Sequence, residues 1–237
     1  SASGDIIGLV FNGLVKYDKN IKLIGDLAEK WEVIKNWITI IFHLRKNVKW
    51  HDGIEFTAED VKFTYDKLVA PTTKTPYSSD FMLVQKAEVA DKYTFKVTYK
   101  KPFAPALESW GMGIIPKHLL WDKDINTAQF NRQPIGTGPY KFKEWKTAEK
   151  IVLEYNPDYF EGRPYIDRYI YRIIPDQSVQ LLELKSGSID MMGLTPDMFK
   201  NQASTQEFSQ KFNKFRYPAF QYTYMGFNFL NPLFKDK

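Results

Sequence analysis

Cysteine is absent from the 237 residues, which excludes disulfides, thiolate metal sites and cysteine nucleophiles in one step. Histidine is scarce: His43, His51 and His118 stand far apart without an HxxxH or HxH partner, so they define no metal site. No apolar run approaches the roughly 18 to 20 residues that span a bilayer, and the start, SASGDIIGLV, lacks the basic n-region of a signal peptide. A signal or lipid-anchor segment is therefore expected outside these residues if the gene product is exported. Runs of one charge sign are missing too. The 33 basic and 28 acidic residues give a net charge of +5, but Lys and Arg lie singly among acidic residues, a mixed-sign surface unsuited to tracking a phosphate backbone. No nucleic-acid partner is expected.

What is present is an ordinary globular composition, 43% hydrophobic and 26% charged, enough to bury a core. The clearest stretch is Trp31 to Leu68. Ile38 to Leu44 is apolar and β-branched almost throughout and predicts a strand covered on both faces. Lys46-Asn47 and Asp52-Gly53 mark turns. Thr57 with Asp60 forms a capping box, Phe56 and Val61 a hydrophobic staple, and Val61, Tyr65 and Leu68 continue a helix that Ala70-Pro71 stops.

Elsewhere, residues Asp5 to Val15 predict a helix capped by Ser3, with Ile6, Ile7, Val10, Phe11 and Leu14 on one face. Phe81 to Val89 and Tyr93 to Tyr99 predict a hairpin, and Pro139 to Trp145 with Ile151 to Tyr155 a second, followed by a strand at Tyr169 to Ile174. Ala104 to Trp110 reads as a short helix, and Leu119 to Phe130 as helix or loop. Asp176 and Gly187 bracket a helix carrying Val179, Leu181 and Leu182, followed by a short strand at Ile189 to Met192. Thr195-Pro196 and Ser204 with Glu207 predict two more helix starts, and Phe220 to Phe229 an aromatic strand. Gly136-Thr137-Gly138-Pro139 lets the chain turn between layers. It is no phosphate cradle, because no Lys-Ser or Lys-Thr follows and a strand opens there.

Catalytic spacing is missing. There is no GxSxG elbow, Glu59-Asp60 is explained by capping, and nothing selects two of Glu55, Glu108 and Glu161 as an acid/base pair. No catalytic residue, metal ligand or cofactor is assigned. Aromatics are plentiful, at 16%. Tyr77, Phe81, Trp110, Tyr222 and Tyr224 fall outside the regular core patterns, and two readings stay open for them: packing, or the wall of a ligand cleft.

Three blocks carry a resemblance. AEKWEV, FHLRKNVKWHDG and FTAEDVKFTYDKL come first; the GTGPY, NPDY, GxPYxD, IIPD and LxxGxID pattern from Pro134 to Asp190 follows; MGFNFLNPLFK ends the series. Together they resemble the extracytoplasmic solute-binding proteins of the peptide, dipeptide and nickel class, which serve ABC importers. The chain departs from the family pattern at Lys35-Asn36-Trp37, where Asp and Gly are usual; Asn36 tolerates a positive φ.

The resemblance implies an α/β (mixed α+β) fold of the type II periplasmic-binding-protein kind. Residues 1–14 and 134–237 would form the large domain and 15–133 an inserted small subdomain, with a first strand preceding Ser1 and the second lobe following Lys237. It implies an exported, non-catalytic protein, monomeric at full length. Such a protein binds an oligopeptide, dipeptide or similar solute by closure of two lobes and delivers it to the membrane permease. Carbohydrate and nickel-chelate ligands belong to the same class, and the absence of arginine from Ser109 to Gly113 weakens the chelate option. By the same resemblance the cleft is bordered by Ser3, Tyr77, Phe81, Trp110, Met112, Tyr222 and Tyr224. A carboxylate hydrolase and a protein-interaction module are the competing classes from the residues alone.

Overall fold

The computed structural model describes residues 2–34, 36, 38–216 and 224–234, without the side chains of residues 2–5. The described chain divides into two compact units, residues 1–175 and 176–237.

The first unit opens with helix α1 (Ala2–Val10). The expected helix was longer, but it stops at Val10, where the Gly138 N–H donates to the Val10 carbonyl at 2.8 Å. Ser3 consequently lies inside α1 and not at its cap. Leu14 leaves the expected helical face and enters another core fully buried. Strands β1 (Val15–Tyr17) and β2 (Leu23–Gly25) pair antiparallel. Strands β3 (Ala28–Ile34) and β4 (Thr39–Leu44) follow, joined through Asn36 at φ 52°.

Helix α2 (Ala58–Val69) begins as its capping residues dictate. The Thr57 N–H donates to Asp60 Oδ2 at 3.0 Å, and Thr57 Oγ1 accepts from the Glu59 N–H at 3.3 Å. Phe56 and Val61 are both fully buried. After a 3₁₀ turn at Ser78–Phe81, β5 (Val84–Asp91) and β6 (Thr94–Tyr99) complete a four-stranded antiparallel sheet of order β3-β4-β6-β5. Ile40 sits opposite Val97 and Phe42 opposite Phe95, so the core face alternates strictly. The expectation that both faces of β4 are covered is corrected here: Ile40, Phe42 and Leu44 are buried, whereas Ile41 and His43 are half-exposed. Their cross-strand partners, Lys96 and Thr94, are polar.

The segment after β6 makes 3₁₀ turns at Ala104–Ala106 and Glu108–Gly111, then α3 (Lys117–Leu120). A separate three-stranded sheet follows, β7 (Tyr140–Lys146), β8 (Lys150–Tyr155) and β9 (Arg168–Arg172), in that order. It packs with Ile6 and Val10 of α1 into its own core. The glycines between the two sheets serve close approach more than turning. A Cβ on Gly136 would lie 1.8 Å from the Val10 carbonyl oxygen, and one on Gly138 2.5 Å from that of Leu9.

In the second unit, α4 (Gln177–Ser186) is capped by Asp176 and ended by Gly187 at φ 80°. Its buried stripe is Leu181 and Leu184; Val179 and Leu182 are exposed. Residues 189–192 form no strand; Ile189 and Met192 instead pack as side chains on the Leu181, Leu184 and Phe208 cluster. Thr195 Oγ1 accepts from the Met198 N–H, opening a turn that widens into a π-helix at Met198–Gln202. Helix α5 (Gln206–Lys211) is capped by Thr205, one residue beyond the expected Ser204. The aromatic strand expected at 220–229 falls partly outside the described residues, and residues 224–229 have no strand.

Candidate ligand-binding site

The geometry of the first unit is set by three polar nodes. At the first, the side chain of Asn12 donates to both Asp26 carboxylate oxygens at 3.0 Å and accepts from Thr137 Oγ1 at 3.0 Å. Burial raises the Asp26 carboxyl above its ordinary value, against the opposing pull of Lys16 at 3.3 Å. At the second, Asp60 goes beyond its capping duty and accepts from the Lys117 N–H at 3.0 Å, while Thr64 Oγ1 accepts from the Ile115 N–H at 3.0 Å. Helix α2 thereby fixes the segment after Gly111. At the third, His51 Nδ1 accepts from the Gly136 N–H at 3.2 Å and Nε2 lies 3.0 Å from the Gly138 carbonyl oxygen.

Held between these elements is an open concavity of about 1300 Å³. Its apolar lining includes Leu68, Tyr77, Phe81, Met112 and Ile115, together with Ile6, Ile7, Val10 and Phe11 and with Phe142, Trp145 and Ile151 of the β7–β8 hairpin. Its charged lining is balanced: Lys67 and Lys74 against Asp80 and Glu108. Glu108 hydrogen-bonds the Tyr17 hydroxyl, the main cause of that tyrosine's raised pKa. Apolar side chains make up most of the rest, with Thr64, Thr73, Thr75, Ser109, Asn126 and Asn131 adding uncharged polar groups.

Of the expected cleft residues, the structure brings Tyr77, Phe81 and Met112 to this concavity. Tyr77 is exposed, while Phe81 lines it from a buried position. Trp110 is corrected: it has 0% exposure and is a core residue. Its ring meets Phe42, Phe81, Phe95 and Tyr65 at centroid distances of 5.0–6.1 Å, and its Nε1–H donates to Tyr99 Oη at 3.0 Å. It missed the core pattern because it enters on a 3₁₀ turn, which has neither strand nor α-helix period. The Ser3 side chain and Tyr222 lie outside the described residues. Tyr224 is exposed in the second unit.

Sequence reasoning did not find the lining residues of the β7–β8 hairpin. Phe142 and Trp145 are three apart and should face opposite ways in a regular strand. The irregularity between Phe142 and Glu144 shifts the register, and both line the concavity. The three carboxylates weighed as acid/base groups are engaged separately: Glu55 by Lys92 and Tyr93, Glu108 by Tyr17, and Glu161 by Lys16 and Tyr159. Among the described residues no group of three or more His, Cys, Asp or Glu is placed to hold a metal ion, and no helix is long and apolar enough to cross a membrane.

The family described as bacterial extracellular solute-binding proteins, family 5 Middle, matches residues 22–237, and the chain belongs to it. The oligopeptide-binding protein AppA of Bacillus subtilis is 37% identical over 247 residues, spanning 100% of this chain and 44% of that protein. The chain thus spans less than half the length of the curated relatives it matches. The structure of B. subtilis AppA in complex with a nonapeptide superposes with a TM-score of 0.81 at 32% identity, over 87% of this chain and 42% of that one. NikZ from Campylobacter jejuni, in complex with Ni(L-His), gives a TM-score of 0.76 at 37% identity over 78% and 37%. The fold is that of the type II periplasmic binding proteins.

Proposed function

We propose that this chain supplies one wall of the solute cleft of an extracytoplasmic binding component of an ABC importer, which takes up an oligopeptide or dipeptide and passes it to the membrane permease. The observation that carries the reading is the apolar concavity bearing Tyr77, Phe81 and Met112 in a chain of this family. It binds and does not catalyse, in keeping with its family; of the three candidate carboxylates only Glu108 lines the concavity, and no second one stands with it as an acid/base pair. By resemblance, residues 15–133 act as the small subdomain and 1–14 with 134–237 as the large one; the four-stranded and three-stranded sheets pack in separate cores, which supports this reading. Ser3, Tyr222 and Tyr224 belong to the proposed cleft by resemblance, and Trp110 supports it from behind. The protein works as an exported monomer outside the cytoplasmic membrane, with closure of two lobes selecting the ligand-bound form.

The likeness to NikZ favours a nickel-chelate ligand as the second reading. The concavity lining counts against it, having neither histidine nor arginine among the described residues. Calorimetric titration of the purified protein with peptides of two to nine residues, and separately with the nickel–histidine complex, tests both. Saturable heat with peptides alone is the expected result; saturation by the chelate alone overturns it. Turnover of chromogenic glycosides or peptides would overturn the non-catalytic reading.

A further inference from the structure

The loop that carries Tyr77 into the concavity is attached through one side chain. Residues 71–77 leave α2 at Ala70, and most of their hydrogen bonds are local: the Thr73 N–H donates to the Ala70 carbonyl at 3.0 Å and the Tyr77 N–H to Thr75 Oγ1 at 3.2 Å. Among the described residues, the hydrogen bonds that tie this loop to a distant part of the chain both end on Asn126. Its Oδ1 accepts from the Lys74 N–H at 2.9 Å, and its Nδ2 donates to the Thr72 carbonyl at 2.9 Å. The amide thus reads a backbone acceptor and a backbone donor two residues apart, as a neighbouring strand would.

The grip is itself oriented. The second Nδ2 hydrogen goes to Asp124 Oδ1 at 2.8 Å, and the same carboxylate takes the Asn126 N–H at 2.9 Å and the Thr127 hydroxyl at 3.3 Å. A flipped amide would set its oxygen against both the Asp124 carboxylate and the Thr72 carbonyl, so only one orientation satisfies every group. Thr73, Lys74, Thr75, Tyr77 and Asn126 all line the concavity.

We propose that Asn126 is a positioning residue for the cleft: its amide clips the 71–77 strap in place, and the clip sets where the Tyr77 ring stands. This rests on the reading of the concavity as a ligand wall. Asparagine is required because the position needs a donor and an acceptor side by side. Aspartate keeps the acceptor for Lys74 but opposes two oxygens, and alanine supplies neither.

The test compares wild type with Asn126→Asp and Asn126→Ala by amide hydrogen exchange, by trypsin cleavage at the Lys74–Thr75 bond, and by affinity for a fluorescein-labelled Ala-Phe-Ala-Phe-Ala pentapeptide. Asn126→Ala, which loses both bonds, should speed Lys74 exchange and strap cleavage by about tenfold or more, with protection in β4 and β6 unchanged, and weaken the peptide by about tenfold; Asn126→Asp, which keeps the Lys74 acceptor but sets an oxygen against the Thr72 carbonyl, should change each in the same direction by less. Exchange and cleavage at wild-type rates in both variants overturn the clip. A freed strap with undiminished peptide affinity overturns the positioning role. If the wild-type protein itself ignores the peptide while the strap loosens as described, the ligand-wall reading fails and the clip stands.

Discussion

His51 and Gly136, 85 positions apart, are joined twice: the Gly136 N–H donates to the imidazole Nδ1 at 3.2 Å, and the His51 N–H donates to the Gly136 carbonyl at 2.9 Å. Because Nδ1 accepts, the ring is neutral with its proton on Nε2, which donates to the Gly138 carbonyl at 3.0 Å. The contact links the turn after β4 to the loop before β7, and so ties the β7–β8 hairpin, which lines the concavity, to the part of the chain that carries α2.

That arrangement makes stability depend on pH. Burial lowers the His51 pKa to about 4, the Gly138 carbonyl contact opposing it. The native state therefore binds fewer protons than the unfolded chain between about pH 6.5 and 4. Stability is fully present above the unfolded value and falls as the pH drops through this window, by roughly 3 kcal/mol in all. Denaturant midpoints measured from pH 7.5 to 4 should show the loss. In His51→Gln, which cannot titrate, the drop over the same window should be smaller by about that amount.

Gly136 and Gly8 form a contrasting pair. A Cβ at Gly136 meets the Val10 carbonyl oxygen at 1.8 Å, backbone against backbone, whereas one at Gly8 meets nothing within 4 Å. Gly136→Ala should cost roughly 3 kcal/mol or more, since neither segment can give without moving α1. Gly8→Ala, inside α1, should stabilise by about 0.5–1 kcal/mol through helix propensity. Thermal denaturation of both variants checks the opposite signs.

What was legible in the residues was local. The Thr57 box, the Asp176 cap and the Gly187 stop each depend on groups within four positions, and the β5–β6 and β7–β8 hairpins on alternation alone. What was not legible depended on distant partners. Helix α1 ends where a loop some 130 residues later approaches it, so Leu14 could not be read as leaving the helix. At the candidate site, Tyr77, Phe81 and Met112 were reachable through a family resemblance, whereas Phe142 and Trp145 required a register shift that period-2 reading cannot see. Asn126 gave no signal at all, because its partners are main-chain atoms whose position no sequence pattern reports.

Thr57→Ala removes the acceptor for the Glu59 N–H and half of the capping box. It should lower stability by about 1 kcal/mol. Thr57 does not line the concavity, so peptide affinity should be unchanged. A urea midpoint equal to that of the wild type would mean that the cap contributes nothing here.

Tyr77 and Trp110 separate binding from packing at the site. Both are aromatic and both were candidates for the cleft, but Tyr77 is 59% exposed and Trp110 0%. Truncating Trp110 to alanine empties the centre of a cluster of four other rings and leaves the buried Tyr99 hydroxyl without its indole donor. The Tyr99 hydroxyl, whose pKa burial raises to about 12, keeps only its bond to the Ala106 carbonyl at 3.0 Å. Trp110→Ala should therefore lose about 3–5 kcal/mol of stability, and its effect on peptide binding should track the fraction unfolded. Tyr77→Ala removes a ring that stands in solvent at the concavity's edge, so its stability should stay within about 0.5 kcal/mol of wild type. Its peptide affinity should fall by about tenfold or more, as for an aromatic anchor. Urea denaturation and calorimetric peptide titration on the two variants give the four values needed. Equal affinity in Tyr77→Ala and wild type would remove Tyr77 from the cleft, and an unchanged midpoint in Trp110→Ala would contradict its place at the centre of the core.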